Sequence, residues 1–151
     1  MNHALYQVSL KAIIKNEGGE ILILKALDSA SYAEFWDLPG GRIHDLEFYT
    51  PLLDTLRREI EEEVGKIEIE VNPRPVSLGR HLIEAKYTLD KLRDIPVIYI
   101  FFEAKYNSGE IILSSEHKEF KWLDPVSAVA SEYFKSGILE GVKDCFNKTT
   151  K

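Results

Sequence analysis

The chain has 151 residues, enough for one domain with a hydrophobic core and too few for two ordinary domains. Its formal net charge of −6 at pH 7 argues against nonspecific nucleic-acid binding, which requires a basic surface. Hydrophobic residues make up 44% of the chain and charged residues 29%, as in ordinary soluble proteins, so we expect a single domain over residues 1–151.

The cysteine content and the N-terminal segment predict where the protein resides. The sequence contains 1 cysteine, Cys145, which excludes an internal disulfide and a cysteine-based zinc site and fits a reducing compartment. Residues 1–14 lack a basic region followed by a long apolar core, and no apolar run is long enough to span a membrane. We therefore expect a cytoplasmic protein with neither a membrane nor a nucleic-acid partner.

The N-terminal part of the chain predicts a β-hairpin. Residues 6–15 and 20–25 are rich in apolar and β-branched side chains, which is typical of strands. Residues 16–19 (NEGG) have the composition of a tight turn between them. Residues 28–34 are mostly small and polar, and we expect a loop there.

A glycine turn then leads into a helix. In residues 39–41 (PGG), the proline restricts the backbone and the glycines permit conformations closed to other residues. Thr50 offers a capping hydroxyl, Pro51 suits the first helical position, and Gly65 is a typical stop. Apolar side chains recur at helical spacing between these points and predict a buried stripe formed by Leu52, Leu53, Leu56, Ile60 and Val64.

Several glutamates lie at the end of this helix, one of them on its apolar side. At about 100° per residue, Glu63 falls roughly 20° from Leu56, inside the stripe. Glu59 and Glu62 lie beside it at neighbouring helical positions, and Glu61 points to solvent. Like charges against an apolar face are costly unless a cation compensates them. The pattern therefore favours a Mg²⁺ or Mn²⁺ site, although a solvated acidic helix face remains the alternative.

The rest of the chain predicts more strands and a terminal helix. Residues 96–105 (PVIYIFFEAK) form a continuous apolar run, which is typical of a central strand covered on both faces. Other predicted elements are strands at 67–71, 76–83, 111–113 and 120–123, a loop at 84–94, a turn at 106–110, a short helix from Pro125 and a helix over 137–146. This irregular order indicates a mixed sheet flanked by helices.

The glycine turn and the acidic helix together resemble the Nudix box, the signature of the Nudix hydrolases. In that signature a glycine is followed after five residues by a glutamate, and after seven more by Arg-Glu-apolar-any-Glu-Glu-any-Gly-apolar. The matching residues are Gly41, Glu47, Arg58, Glu59, Ile60, Glu62, Glu63 and Gly65. Here ten residues instead of seven separate Glu47 from Arg58, so the sequence does not establish whether these two residues form their usual ion pair. Lys66 occupies the last apolar position.

The resemblance implies an α/β class fold, the Nudix α/β/α sandwich around a central mixed β-sheet. It also implies Mg²⁺-dependent hydrolysis, with Mn²⁺ as a substitute, of a nucleoside diphosphate linked to another group. That substrate class covers nucleoside triphosphates, nucleotide sugars and dinucleoside polyphosphates. The implied metal ligands are Glu59, Glu62 and Glu63 with the backbone carbonyl of Gly41 (or Gly40), while Arg58 orients the glutamates.

A second resemblance lies near the C-terminus. Residues 116–123 are similar to a segment in which many Nudix proteins carry a glutamate that binds metal or acts as the general base. Glu116 and Glu119 are the candidates, Glu116 being favoured by its neighbour His117, and solvated loop charges are the alternative. We therefore expect the base to be Glu59 or Glu116.

The candidate substrate-binding residues lie beside the box. Arg42 directly follows the glycines and could pair with a substrate phosphate, and Trp36 lies on the approach to them. His44 could also reach a phosphate, and Trp122 is expected in the core. A homodimer is compatible with the resemblance. A Nudix-fold module that binds a nucleotide without cleaving it, and an acidic helix in an unrelated α+β domain, remain alternatives to the enzyme.

Overall fold

A computed structural model gives the fold of residues 1–28 and 34–146. In these ranges eight strands form one sheet: β1 (Gln7–Lys15), β2 (Ile21–Ala26), β3 (Trp36–Asp37), β4 (Gly40–Arg42), β5 (Glu68–Val71), β6 (Ser77–Ile83), β7 (Ile95–Ser108) and β8 (His117–Leu123). The same ranges contain the helices α1 (Leu52–Val64), α2 (Ala130–Tyr133) and α3 (Ser136–Phe146). The loop predicted over residues 28–34 lies almost entirely outside the described residues.

The centre of the sheet is the parallel pair of β1 and β7. Their register runs from Gln7 opposite Val97 to Lys15 opposite Lys105. The remaining strands add in antiparallel fashion: β2 and β4 pair with β1, β5 and β6 with β7, and β3 and β8 with β2. The sheet is therefore mixed, as predicted, and β4 places Gly41 opposite Leu10 on the central strand β1.

Two hydrophobic clusters cover the two faces of the sheet. One packs the sheet against α3 and includes Phe101, Ile138 and Val142. The other packs it against α1 and includes Phe102 and Ile60. Because successive side chains of a strand point to opposite faces, β7 contributes to both clusters. The predictions of a central strand covered on both faces and of an α/β/α sandwich are confirmed.

Three local predictions are wrong. The strand predicted at residues 111–113 does not form, because this segment caps α1: the backbone N–H groups of Ile112 and Ser114 donate to the carbonyls of Val64 and Glu63. The turn predicted at 106–110 starts too early, since β7 continues to Ser108. No helix starts at Pro125 either, and the nearby α2 begins later, at Ala130.

The boundaries of α1 show where the predicted capping failed. The helix begins at Leu52, and Pro51, whose side chain cannot make a capping hydrogen bond, occupies the N-cap position. The prediction that Thr50 caps the helix is therefore wrong, because Thr50 lies one residue before the N-cap. Gly65 does end the helix, with a positive φ of 85° that other residues rarely adopt. No helix in the described ranges is both long and apolar enough to cross a lipid bilayer.

Candidate active site

The glycine turn presses directly against the first glutamate of the acidic helix. A Cβ atom added to Gly41 would lie 2.3 Å from Glu59 Oε2 and 2.4 Å from its carboxyl carbon. Any residue larger than glycine would therefore displace this carboxylate. The glycine leaves room for Glu59 to lie against the backbone of β4, which explains why a small residue is needed there.

Glu63 is buried behind the same turn. Its residue is 8% exposed, as its place within the apolar stripe predicts. The backbone N–H of Gly40 donates to Glu63 Oε2 at 3.2 Å. Burial raises the pKa of the Glu63 carboxyl to about 8, and although Lys11 acts in the opposite direction, nearby Asp37 and Glu59 raise it further. A cation beside this carboxylate would offset the cost of ionising it.

Arg58 joins three glutamates at the entrance to the site. Its guanidinium donates to Glu47 Oε1 at 2.6 Å, to Glu59 Oε1 at 2.9 Å and to Glu62 at 3.0 Å. The pairing of Arg58 with Glu47, which the sequence left open, is therefore present despite the longer spacing. The backbone N–H of His44 and the Arg58 guanidinium lower the pKa of Glu47, so this carboxylate stays ionised as the partner of Arg58.

Glu62 does not lie where the sequence placed it. Its side chain is 59% exposed, about as much as the 56% of Glu61, and it is held outward by Arg58. Among the described residues, no three aspartate, glutamate, histidine or cysteine side chains converge as a ready metal cage. Glu59 and Glu63 therefore meet at the glycine turn, whereas Glu62 is turned away from it in this structure.

A buried ion pair anchors the chain that enters the glycine turn. Lys11 Nζ donates to Asp37 Oδ2 at 3.0 Å and to the carbonyl of Leu38 at 3.3 Å. Burial alone would lower the pKa of Lys11, but Asp37 and Glu63 outweigh it and raise this pKa above its usual value. Sequence analysis missed both residues. A lysine within the apolar run of β1 was nevertheless a signal, because a buried charge requires a partner of opposite charge.

The C-terminal candidates lie at the start of β8. Glu116 is exposed, and its backbone N–H donates to Ser114 Oγ. Glu119 is also exposed and pairs in register with Lys25 of β2. Beside Glu116, the imidazole of His117 has a buried Nδ1 with no hydrogen-bond partner among the described residues, and burial lowers its pKa. The roles of both glutamates stay predictions.

The candidate substrate-binding residues differ in accessibility. Arg42 is exposed at the end of β4, and its guanidinium donates to Gln7 Oε1 at 2.8 Å. Trp36 is 8% exposed and belongs to the core cluster on the α3 side, so little of its ring can meet a substrate. His44, which the sequence offered as a further phosphate contact, has its Nε2 3.8 Å from Glu59 Oε1.

The arrangement offers hard oxygen ligands at a backbone turn. Glu59 and Glu63 supply carboxylates beside the backbone of Gly40 and Gly41, and the glycines carry no side chain of their own. Such oxygen donors suit Mg²⁺, Mn²⁺ or Ca²⁺ rather than a softer metal. A site with this chemistry is suited to holding and polarising phosphate groups.

The fold and the oxygen-rich site are those of a class of protein, and comparison with known sequences identifies that class. The family model described as the NUDIX domain matches residues 5–142. The chain therefore belongs to the Nudix family, as its box indicates, and the prediction of a hydrolase acting on phosphoanhydride bonds is confirmed at that level. Members of this family generally use divalent metals, in keeping with the oxygen-rich site.

Individual relatives agree with this assignment. The chain is 29% identical over 113 residues to the nucleoside triphosphatase NudI of Escherichia fergusonii, a match that covers 75% of this chain and 78% of that protein. It resembles the crystal structure of a MutT protein from Methanosarcina mazei Go1, with a TM-score of 0.70, 25% identity and 100% coverage of both chains. The fold also matches an ADP-ribose pyrophosphatase from Streptococcus suis, with a TM-score of 0.62, 19% identity, and coverage of 97% and 94%.

Proposed function

We propose that this protein is a Mg²⁺-dependent pyrophosphohydrolase that cleaves a nucleoside diphosphate linked to another group. The observation that carries the proposal is the contact of the Glu59 carboxylate with the Cα of Gly41, beside the buried carboxyl of Glu63. Gly41 lets the Glu59 carboxylate approach the backbone, and beside it lies a second carboxylate that is costly to ionise without a counter-charge. A divalent cation binds in such an environment.

The residues present fit such a cation. A Cβ on Gly41 would occupy the space that the Glu59 carboxylate takes, so the turn is built to hold a ligand there. Burial raises the pKa of Glu63 to about 8, which indicates that the protein alone does not supply enough positive charge for this carboxylate. Glu59, Glu63 and the carbonyl of Gly41 (or Gly40) would bind the ion, and Glu62 would join after leaving Arg58.

When bound, the ion would offset charge on the diphosphate and lower the pKa of a water molecule. The chain's own residues have the remaining tasks. Glu59 or Glu116 would accept the proton of the attacking water as it adds to phosphorus. Glu59 already lies at the turn, whereas Glu116 is exposed just before β8.

Arg58 and Lys11 would act as positioning residues. Arg58 fixes Glu59 from one side and is itself fixed by Glu47, so the carboxylate is oriented before substrate arrives. Lys11 holds Asp37 and the carbonyl of Leu38, which keeps the glycine turn in register with β1. Catalysis of phosphoryl transfer depends mainly on such positioning and on charge stabilisation.

Arg42 would bind a substrate phosphate. It follows Gly41 directly and is exposed, and among the described residues its guanidinium donates to the neutral Gln7. Trp36 is 8% exposed, and we propose that its ring packs in the core and does not contact the substrate. Since the NudI relative is a nucleoside triphosphatase, we propose nucleoside triphosphates as the first substrate class to test.

A metal-dependence assay tests this function. Purified protein is incubated with ATP, GTP, CTP, UTP and their 2′-deoxy forms, with ADP-ribose and diadenosine tetraphosphate as further arms, in Mg²⁺, Mn²⁺ or excess EDTA. We expect a nucleoside monophosphate among the products in the presence of metal, and its loss in EDTA. Turnover that EDTA leaves unchanged would contradict the proposal.

The second candidate is a Nudix-fold module that binds a nucleotide without cleaving it. The outward position of Glu62 is the observation that favours it, because a ligand bound by Arg58 is not in place for metal. Calorimetry on the same compounds separates the two functions. Binding in Mg²⁺ and in Mn²⁺ without any turnover would favour the module over the enzyme.

A further inference from the structure

Lysine side chains and aromatic rings lie together on the α3 side of the sheet, around Trp36. Lys25 Nζ is 5.4 Å from the centre of the Trp36 ring system, and Lys121 Nζ is 5.6 Å from the same centre. Lys121 Nζ is also 4.8 Å from the centre of the Tyr133 ring. Two positive charges therefore lie against one indole, although the whole chain carries a net charge of −6.

The strand register places these two lysines side by side. Lys25 of β2 pairs with Trp36 of β3, and Ile23 of β2 pairs with Lys121 of β8. Ile23 and Trp36 both belong to the core cluster on the α3 side, and residues that pair directly across strands point to the same face of a sheet. Lys25 and Lys121 therefore extend from neighbouring strands on that face, as diagonal neighbours, which lie about 7–8 Å apart in a sheet.

A third lysine extends this group. Lys135 lies between α2 and α3, and its Nζ is 5.7 Å from the centre of the ring of Phe35, the residue before Trp36. Its side chain is exposed, whereas the other two lysines are half-buried. We refer to these three residues as the lysine cluster: Lys25, Lys121 and Lys135.

The positive charge of the lysine cluster is not paired with negative charge of the protein. Within residues 1–28 and 34–146, no lysine of the cluster forms an ion pair. Glu119 pairs with Lys25 in the register of β2 and β8, but their side chains form no ion pair in these ranges. Other lysines of the same ranges do contact a carboxylate: Lys11, Lys15, Lys66, Lys86 and Lys118.

Contact with the aromatic rings leaves the ammonium groups able to bind an anion. Each ammonium group has three N–H donors, and the face of a ring occupies only one side of the group. A cation over a ring gains less free energy than a hydrogen bond between two charged groups does. The rings also restrict the lysine side chains before a ligand arrives, which lowers the entropic cost of binding.

We infer that the lysine cluster is an anion site separate from the glycine turn, and that it binds a phosphate group without a metal ion. A phosphate group has several acceptor oxygens and can carry more than one negative charge, so it can bridge ammonium groups of neighbouring strands. The ligand class is a small phosphorylated molecule, either an inorganic polyphosphate or a nucleotide. The inference does not depend on hydrolysis, because the lysines need no cation to attract the ligand.

Fluorescence titration with tripolyphosphate, in buffer freed of divalent metal, tests this inference. Without a cation the glutamates of the glycine turn repel the probe, so binding there does not contribute. The parent protein for the titration carries Trp122→Phe. Trp122 packs against the core cluster on the α1 side, and its replacement leaves Trp36 as the single tryptophan of the chain. We expect a saturable change in Trp36 emission as the probe binds the adjacent ammonium groups.

Lysine variants show whether the cluster is the site. Lys25→Gln and Lys121→Gln should each bind tripolyphosphate at least about fivefold more weakly, since each loses a charged donor. Lys121→Arg keeps the charge and should bind within about threefold of the parent. Lys143→Gln, at an exposed lysine of α3 outside the cluster, should bind like the parent. Calorimetry measures the same affinities where a variant alters the emission itself.

A titration with ATP distinguishes the two sources of phosphate. An affinity equal to that of tripolyphosphate would assign the site to the phosphates alone, and a higher affinity that also falls in Lys121→Gln would assign it to a nucleotide. The melting temperature of each variant verifies that it is folded. Equal affinities in the parent and in both glutamine variants, or no binding of either probe by the parent, would overturn the inference.

This proposal and the proposed function fail separately. Tripolyphosphate binding that depends on Lys25 and Lys121, in a protein that hydrolyses no nucleotide in Mg²⁺, would support the anion site and contradict the enzyme. Metal-dependent hydrolysis in a protein that binds neither probe without metal would support the enzyme and contradict the anion site.

Discussion

The glycine turn with its acidic helix and the cavity beside it are encoded in different ways. The first lies within one segment, residues 38–65, and its contacts join residues whose types and spacing are visible in the sequence. The second, a cavity of about 770 Å³ beside Arg42, is lined by three separate stretches: residues 5–7, Arg42 and residues 83–96. The comparison teaches that the proposed metal site is local in sequence, whereas the cavity depends on tertiary contacts.

Replacement of Glu63 by glutamine should have the largest effect and tests the chemical side of the comparison. The substitution keeps the shape of the buried side chain but removes the charge that would bind metal. We expect a loss of at least about 10²-fold in turnover of the best nucleotide, measured by monophosphate release. Glu61→Gln, on the solvent side of the same helix, should retain activity, and equal losses in both variants would contradict the metal role.

Gly41→Ala should disrupt the same site without a change in charge. The added methyl group would overlap the Glu59 carboxylate and displace it. We expect Mn²⁺ affinity, measured by electron paramagnetic resonance, to fall about 10- to 100-fold, as for other changes that disturb the orientation of a metal ligand. Gly18→Ala, where the nearest atom would be 3.4 Å away, is the control. Unaltered Mn²⁺ binding by Gly41→Ala would show that Glu59 is not a ligand.

Arg58→Gln should reduce activity less, because it removes a hydrogen-bond donor that orients the Glu59 carboxylate but does not displace that carboxylate. The variant loses ion pairs to Glu47 and Glu59, and its turnover should fall by about tenfold or more. The adjacent Arg57, which is 3.8 Å from Asp54 and half exposed, provides the matched control Arg57→Gln. If both arginine variants lost activity equally, the effect would belong to the helix surface and not to the site.

The pH dependence of stability should show the smallest effect, and only in the metal-free protein. The pKa of Glu63 is raised by burial from 4.5 to about 8, so the folded state holds a proton that the unfolded state releases. The free energy of unfolding in EDTA should therefore fall as pH rises from 4.5 to about 8, by at most about 1.4 kcal/mol per pH unit. Below pH 4.5 this stabilisation is fully present.

Urea unfolding of the parent and of Glu63→Gln measures this term. The free energy of unfolding of the parent minus that of the variant should fall as pH rises, since the glutamine variant has no proton to lose there. Burial lowers the pKa values of His81 and His117, which acts on stability in the opposite direction, but both proteins share these histidines. Parallel pH profiles for the two proteins would show that Glu63 ionises normally in the fold.

The elements that could be predicted from sequence are those that depend on local periodicity. The β1–β2 hairpin, the central strand β7, the acidic helix α1 and the terminal helix α3 each have a regular apolar pattern, and all were confirmed. The buried position of Glu63 also followed from helical spacing alone. The segment 111–113 has the same apolar character, but its backbone is used to cap α1, and this tertiary role leaves no signal in composition.

Within the candidate site, side-chain pairing was harder to predict than position. Helical spacing places Glu62 next to Glu59, yet the guanidinium of Arg58 holds Glu62 outward. A guanidinium has several N–H donors and can therefore bind several carboxylates at once. The ion pair of Lys11 and Asp37 joins residues 26 positions apart, and only the folded sheet brings them together. The cavity beside Arg42 depends on contacts of the same long range.

Anomalous diffraction from crystals soaked in Mn²⁺ tests the central claim most directly, since it locates the metal without reference to activity. The account predicts a peak between the carboxylates of Glu59 and Glu63 and the backbone carbonyl of Gly41 or Gly40, and no such peak in crystals of Glu63→Gln. A parent crystal without manganese at the glycine turn, or with manganese bound only to the exposed Glu61 and Glu62, would contradict it.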